Sequence, residues 1–303
     1  MMKITAGLGA LEAFDLLADA GADELFAGYV PLEWLEKYAN FTPLNRREAV
    51  MQGIQFSTMD EMRLLSRRAA ARGVRVALTF NSAFYRPEQL DWIADALLRL
   101  SELGFEDWIV ADPALLFVLE ERDVPGRIHL SGEAGCFSPD AFRMLAGERV
   151  SRLIFPRKLS PGEMAACARA LPNLEYEAFV LNERCHYSGA FCMSLHCDEM
   201  EPVCRLPYLP CGPDAPAAPE ARDDFGDGFG ESGCALCAIP ELRGAGVTHL
   251  KVVGRGAHPQ NIARDIRLLR RALRMPGADA KALRALLPEG KCAGRCYHLP
   301  PFA

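Results

Sequence analysis

Short apolar runs alternate with longer segments of helical periodicity along most of the chain. Eight of the runs have the length and composition of buried strands, and a glycine or a polar residue follows most of them. These predicted strands are residues 3–6, 22–28, 74–80, 108–111, 127–130, 152–155, 174–181 and 249–253. Strands that are apolar on both faces are typical of a parallel sheet covered by helices on each side.

Segments with apolar residues at helical spacing separate these strands. Two of them begin with a capping box, in which glutamate follows a hydroxyl residue after three positions: Thr58 with Glu61, and Ser160 with Glu163. The alternation predicts an α/β fold, and eight strands favour a (β/α)8 barrel of the TIM-barrel type, with a cysteine-rich excursion after strand 7. The alternative is an open doubly wound sheet, but no Gly-x-Gly-x-x-Gly pattern follows the first strand.

The pattern also predicts how the chain is divided. Residues 1–275 are expected to form a single barrel domain that includes the cysteine-rich loop 185–237. Residues 276–303 are expected to form a C-terminal tail that packs on the barrel and carries one short helix. Residues 29–53 show no clean period, and we interpret them as a loop-rich insert.

Composition and charge narrow the class of protein. The formal net charge of −6 argues against a nucleic-acid surface as the default, although it leaves a local basic face open. The chain has no run of 18 apolar residues, so no membrane-spanning helix is predicted. Its N-terminus lacks the regions of a signal peptide, and we expect a cytoplasmic protein. In that compartment eleven cysteines are more typical of metal binding than of disulfides.

Seven of the eleven cysteines lie in one stretch of the chain. They are Cys185, Cys192, Cys197, Cys204, Cys211, Cys234 and Cys237. Structural zinc sites favour closely spaced pairs, and only Cys234 and Cys237 form the tight Cys-x-x-Cys pair. Iron–sulfur clusters tolerate irregular spacing, such as that between Cys185 and Cys192, because the loops wrap a larger group. The pattern favours an iron–sulfur cluster, with structural zinc or ordinary buried thiols as the alternatives.

Polar residues at the carboxyl ends of the strands are candidates for substrate binding, because active sites of such barrels lie at that end. The candidates are Asn81, Ser131, Glu133 and Arg157. Arg157 suits a carboxylate, since guanidinium groups bind planar anions through two hydrogen bonds. Structural roles stay open for all four, as a turn residue, a helix cap or a rim ion pair. No catalytic residue is assigned from the sequence.

Several motifs resemble those of the peptidase U32 family, whose members were formerly described as collagenase-like proteases. The family's Glu-x-Phe and cysteine signature is similar to Glu177-Ala-Phe179, Cys185, Ser188-Gly-Ala-Phe-Cys192 and Ser194. Further family motifs resemble His129-Leu-Ser131, Arg157-Lys-Leu-Ser160 and Lys251-Val-Val-Gly-Arg255. The resemblance extends over residues 20–255 and is carried chiefly by the cysteine signature.

The resemblance implies a 4Fe–4S cluster. Its implied ligands are Cys185, Cys192, Cys204 and Cys234, with Cys197, Cys211 and Cys237 as alternates. Family members resemble proteins that hydroxylate aromatic rings or nucleobases without O₂, and prephenate is implicated as the oxygen source in some. The implied function is O₂-independent hydroxylation or related redox chemistry on an aromatic small molecule or on RNA. A U32-type peptidase and a non-catalytic, cluster-bearing subunit are the alternatives.

The resemblance also bears on assembly and on the cysteines of the tail. A homodimer, or a heterodimer with a second U32-family protein, is the implied assembly. Cys292 and Cys296 are interpreted as incidental thiols near the cluster loop, with a redox pair or a second metal site as alternatives. Cys136 and Cys167 are expected to be ordinary buried residues.

Overall fold

Eight parallel strands close into a barrel in the computed structural model of the protein. The structure describes residues 2–38, 43–48, 53–147, 149–182, 185, 189–192, 196–197, 233–287 and 296–298. The barrel strands are β1 (Lys3–Leu8), β2 (Glu24–Gly28), β3 (Arg75–Phe80), β4 (Asp107–Val110), β5 (Arg127–Leu130), β6 (Val150–Ile154), β7 (Glu175–Leu181) and β8 (His249–Val252). Each strand pairs with the next one along the chain, and β8 pairs with β1. The predicted (β/α)8 fold is therefore confirmed.

Helices connect consecutive strands. Those within the described residues are α1 (Phe14–Ala20), α2 (Leu32–Tyr38), α3 (Met59–Arg72), α4 (Pro87–Ser101), α5 (Pro113–Glu121), α6 (Pro139–Leu145), α7 (Pro161–Ala170), α8 (Ile239–Gly244), α9 (Pro259–Leu273) and α10 (Ala280–Arg284). Both predicted capping boxes are present, at Thr58 and Ser160, and they satisfy N–H groups that a first helical turn leaves without backbone partners. Of these helices, none is long and apolar enough to cross a membrane.

Helix α2 lies in the segment that was expected to be a loop-rich insert. Its Trp34 is fully buried and contacts the rings of Tyr38, Tyr85 and Trp92 at centroid distances of 4.5, 6.4 and 5.1 Å. One aromatic side chain thus anchors a helix of seven residues, and no repeating apolar stripe marks it in the sequence. The loop-rich insert therefore contains one short helix that the sequence pattern does not mark.

Charged side chains fill the part of the barrel interior near the amino ends of the strands. Arg152 on β6 is fully buried, and its guanidinium donates to Glu24, Glu175 and Glu177 at 2.7, 2.7 and 2.9 Å. His249 on β8 lies 3.2 Å from Glu24 through its Nε2 atom. Inward positions on β2, β6 and β7 therefore hold charges that compensate one another, as buried charges require, and His249 on β8 adjoins them.

The carboxylates of this interior stay ionised in spite of their burial. Burial raises the pKa of Glu177, but the charges of Lys251 and Arg152 outweigh burial and hold that pKa at about 2. Burial likewise raises the pKa of Asp107 on β4, and a hydrogen bond from His129 helps to bring it to about 2. Both pKa values are lower than those of the same groups in an unfolded chain, so ionisation of these groups favours the folded state.

Acid should therefore destabilise the protein over a defined range. The ordinary pKa values of these groups are 4.5 and 3.8, so the unfolded chain binds more protons than the folded one between those values and about 2. The free energy of unfolding is expected to fall as the pH is lowered through this range. Urea midpoints measured at a series of pH values would show the decline. The variant Asp60→Asn, which removes an exposed carboxylate, serves as a control and should show the same decline as the wild type. Urea midpoints that stay constant down to pH 2 would contradict the expectation.

Candidate active site at the barrel mouth

The cysteine segment leaves the barrel at the end of β7. Asn182 follows that strand with a φ of 66°, a left-handed conformation that asparagine tolerates better than most residues. Its backbone N–H donates to Gly233 O at 2.9 Å. The returning segment is bridged antiparallel to the strand end, with Cys234 beside Leu181. Both ends of the cysteine segment therefore lie at the carboxyl end of the barrel, where the sequence predicts the site.

The cysteine segment then packs against the turn that follows β5. The ring of Phe191 stacks on that of Phe137 with centroids 5.3 Å apart. Arg46, in the connection between α2 and α3, donates from Nη2 to the carbonyl oxygen of Cys192 at 2.9 Å. The same two parts of the chain also pair as short parallel strands, Arg47–Glu48 and His196–Cys197. The insert after β2 and the cysteine-rich loop 185–237 after β7 therefore meet at the carboxyl end of the barrel, which is called the mouth below.

Two arginines and one glutamate form a cluster at this junction. Glu133 lies 3.4 Å from Arg46 Nε and 3.8 Å from Arg157 Nη1. The guanidinium of Arg157 lies 3.9 Å from the ring centroid of Phe179, and the backbone N–H of Arg46 donates to Asn81 Oδ1 at 3.2 Å. Together the three charged side chains of this arginine cluster carry one positive charge. Two guanidinium groups at one place suit a carboxylate or phosphate ligand.

A third arginine reaches into the mouth from the end of β8. Arg255 donates to Gln55 Oε1 at 3.1 Å, to Thr79 Oγ1 at 3.3 Å and to Arg47 O at 3.3 Å. These three acceptors are uncharged groups, and together they orient the guanidinium. The side chain fits there because Gly28 has no Cβ, since a carbon at that position would overlap both Arg255 and Gln55.

An aromatic ring and a buried ion pair lie deeper in the barrel. The centroid of Phe26 is 6.0 Å from the Arg255 guanidinium and 4.0 Å from Lys251 Nζ. Lys251 is paired with Glu177, which itself contacts Arg152. Burial lowers the pKa of the Lys251 ammonium group, against the opposing effect of Glu177. The floor of the mouth therefore consists of an aromatic ring beside a compensated ion pair.

The structure brings together three of the four residues predicted to bind substrate: Asn81, Glu133 and Arg157. The fourth, Ser131, caps the turn after β5, because its Oγ accepts a hydrogen bond from Glu133 N at 3.2 Å. Glu133 and Arg157 form the ion pair that was the structural alternative for Arg157. Their role in binding a substrate stays a prediction.

Two further arginines of the mouth were not among the predicted site residues. Arg255 lies three residues after the end of β8. The rule that active-site residues follow the strands would therefore have included it. Arg46 lies in the segment without periodicity, and no local signal marks it. The contacts of Arg46 with Asn81, Glu133 and Cys192 show that it belongs to the site.

Three of the predicted cluster ligands lie in the described part of the mouth. Cys185, Cys192 and Cys234 are half-buried. The predicted ligand Cys204, the alternate Cys211 and the side chain of the alternate Cys197 lie outside the described residues. Where the structure describes side chains, no three of His, Cys, Asp or Glu are grouped to hold a single metal ion. A 4Fe–4S cluster does not need such a group, because each cysteine there binds a different iron.

The chemistry of the mouth cysteines fits an iron–sulfur cluster. Cys234 Sγ accepts a hydrogen bond from Leu236 N at 3.5 Å, and hydrogen bonds to sulfur tune such clusters. The alternate Cys237 is buried in the short turn 236–238. Burial raises the pKa of Cys136 to about 11 and raises that of Cys167, which agrees with their interpretation as ordinary core residues. The half-buried thiols at the mouth are therefore the better candidates.

Comparisons with known proteins identify relatives of this barrel. Two curated relatives are both described as tRNA hydroxylation protein P. The one from Escherichia coli (strain K12) is 26% identical over 157 residues, 49% of this chain and 34% of the relative. The one from Helicobacter pylori (strain J99 / ATCC 700824) is 23% identical over 198 residues, 63% of this chain and 42% of the relative. The match thus spans less than half the length of each relative.

The family of the chain follows from its match to a family model, and a solved structure is described in similar terms. A solved structure described as a U32 peptidase compares with a TM-score of 0.49 and 14% sequence identity, over 84% of this chain and 94% of the other. The model of peptidase family U32 matches residues 9–287. This range includes the arginine cluster, the three mouth cysteines and all barrel strands except β1. Because the family model covers nearly the whole of the described barrel and its mouth, the chain belongs to peptidase family U32.

Proposed function

We propose that this chain is an iron–sulfur protein that carries out O₂-independent hydroxylation of an aromatic ring, with a tRNA base as the first substrate to test. The observation that carries the proposal is the position of Arg46, which contacts Glu133 of the arginine cluster and also the backbone of Cys192. An anion-binding group thereby adjoins the cysteine segment. The description of both curated relatives as tRNA hydroxylation proteins supports the reaction class.

In this proposal the mouth cysteines hold a 4Fe–4S cluster. Cys185, Cys192 and Cys234 are three of its ligands, and motif similarity favours Cys204 as the fourth. Hydroxylation converts a ring C–H into C–OH and removes two electrons from the ring, so it requires an electron acceptor as well as an oxygen donor. When bound, the cluster supplies one-electron transfer at a potential that depends on hydrogen bonds to its sulfurs. The Leu236 N–H bond to Cys234 Sγ is one such contact.

The arginines bind and orient the anionic oxygen donor. The Arg157 guanidinium lies over the ring of Phe179, 3.9 Å from its centroid, and this contact restricts the positions that the guanidinium can adopt. A carboxylate that pairs with this fork is therefore held in one orientation. Arg46 and Arg255 offer further guanidinium N–H donors to a second acidic group. Prephenate, a dicarboxylate, matches this distribution of charge and is the proposed co-substrate.

An RNA substrate calls for further cationic surface beside the mouth, because the net charge of the chain is negative. The chain carries a net charge of −6 and matches less than half of each tRNA hydroxylation relative. Phosphate contacts dominate the affinity of proteins for nucleic acids. We propose that a second subunit, either another copy of the chain or a second U32-family protein, completes the surface that binds RNA. An aromatic small molecule requires no such addition and is the second substrate class.

Anaerobic reconstitution with iron and sulfide tests the cluster. We expect about four irons per chain and the Mössbauer and EPR spectra of a 4Fe–4S centre. Cys185→Ala and Cys234→Ala should each lose the cluster. Cys167→Ala, which removes a thiol from the core side of α7, should keep it. Absence of iron from the wild-type protein would contradict the proposal, and retention of the cluster in both mouth variants would show that the ligands are others.

Mass spectrometry of nucleosides tests the reaction. Unmodified tRNA is incubated anaerobically with the reconstituted protein, prephenate and an electron acceptor, and one base is expected to gain the mass of an oxygen atom. Cleavage of peptides by variants that lack the mouth cysteines would favour a U32-type peptidase instead. Hydroxylation that appears only after a second U32-family protein is added would assign this chain as a cluster-bearing subunit.

A further inference from the structure

A segment of the C-terminal tail lies next to Cys234. Cys234 is bridged antiparallel to Leu181 on one side and parallel to Cys296 on the other. The backbone N–H of Tyr297 donates to Cys234 O at 3.1 Å. Neighbouring strands lie about 4.8 Å apart, so Cys296 and Cys234 are direct neighbours across this pair. The tail therefore brings a further cysteine to the barrel mouth.

The barrel itself holds this cysteine in place. The hydroxyl of Tyr297 donates to the carbonyl oxygen of Asn182, where the chain leaves β7. His298 Nε2 lies 2.9 Å from Phe179 O on the same strand. Tyr297 and His298 are only 8% and 9% exposed. The position of Cys296 thus depends on β7 and on the segment that carries Cys234.

We infer that Cys296 is a ligand of the proposed cluster and supplies the fourth thiolate beside Cys185, Cys192 and Cys234. This inference rests on the proposed function. The other cysteines with described side chains are less suitable, because they are almost fully buried: Cys136, Cys167 and Cys237, at 2%, 0% and 8% exposure. Cys296 is half-buried, like the three motif cysteines. It takes the place that motif similarity assigns to Cys204.

A disulfide is the competing arrangement for these two neighbours. Cysteines on adjacent strands can have the Cα separation that a disulfide requires. A bond between Cys234 and Cys296 would, however, remove Cys234 from the cluster, since only a thiolate binds iron. The two arrangements are therefore exclusive. Alkylation and mass spectrometry of the iron-loaded protein distinguish them, and a Cys234–Cys296 disulfide in that protein would overturn the inference.

Two serine variants, reconstituted beside the wild-type protein, test the assignment. Cys296→Ser should lose the cluster or convert its EPR signal to that of a three-iron form, whereas Cys204→Ser should keep the wild-type iron content and spectrum. Serine is close to cysteine in size, and Tyr297 and His298 remain to hold the tail. Circular dichroism and thermal midpoints of the iron-free proteins verify that both variants fold like the wild type.

The outcomes separate this inference from the proposed function. Wild-type iron content with an unchanged spectrum in Cys296→Ser would overturn the inference. Loss of the cluster in Cys204→Ser would also overturn it, because four thiolates would then be accounted for without Cys296. A wild-type protein that binds no iron would instead contradict the proposed function itself.

Discussion

Replacement of Arg152 by methionine should lower the free energy of unfolding by about 3–5 kcal/mol. The Arg152 guanidinium is fully buried and is the shared partner of Glu24, Glu175 and Glu177. Its removal leaves two almost fully buried carboxylates, Glu24 and Glu177, without that partner. Methionine keeps most of the apolar stem, so the loss reports the charge rather than a cavity. Urea denaturation at neutral pH measures the effect.

Matched variants show whether the interior charges act as a unit. Arg63 pairs with Asp60 on the exposed face of α3, so Arg63→Met should cost no more than about 1 kcal/mol. Glu24→Gln, added to Arg152→Met, should recover part of the loss because it removes a charge that lacks its partner. If Arg152→Met is no more destabilising than Arg63→Met, the buried network does not stabilise the barrel.

Replacement of Arg157 by alanine should raise the KM for the anionic oxygen donor about 10- to 100-fold. Hydrogen bonds to charged groups contribute about 1.5–3 kcal/mol, and each 1.4 kcal/mol is a factor of ten. The guanidinium also stacks on Phe179 at 3.9 Å, so its removal takes away both the charge and the defined orientation. Initial rates of the reconstituted protein, measured against donor concentration, give the change.

Controls for this variant separate binding from structure. Arg157→Lys keeps the charge but loses the planar fork, so its KM should lie between those of the wild type and the alanine variant. Arg122→Ala, which removes an ion pair with Asp95 between α4 and α5, should leave KM unchanged. Wild-type KM values in both Arg157→Ala and Arg46→Ala would show that the arginine cluster is a structural ion pair with Glu133.

The eight strands were predictable because burial on both faces leaves a local signature, a short apolar run that ends at a turn residue. These apolar runs did not indicate that charged side chains fill part of the barrel interior. Glu24 and Arg152 are the single charged residues of β2 and β6, and they compensate each other across 128 positions of sequence. Pairing of this kind depends on barrel closure, and no local pattern contains it.

The site was predictable where its residues follow strands. Glu133 and Arg157 lie at strand ends, and the rule for barrel enzymes selected both. Arg46 was missed because its segment has no period, and its link to the cysteine segment is a contact across 146 positions. Cys296 was interpreted as incidental because its neighbour Cys234 is brought to it only by the folded tail.

The anchoring of the tail has a consequence for the order of events during synthesis. Tyr297 bonds the carbonyl oxygen of Asn182 across 115 positions, and His298 bonds that of Phe179 across 119. These contacts cannot form until the ribosome has released residues 296–298. The mouth is therefore complete only after almost all of this chain has been made. In the proposed arrangement, loading of a cofactor at Cys234 and Cys296 therefore follows the synthesis of residues 296–298.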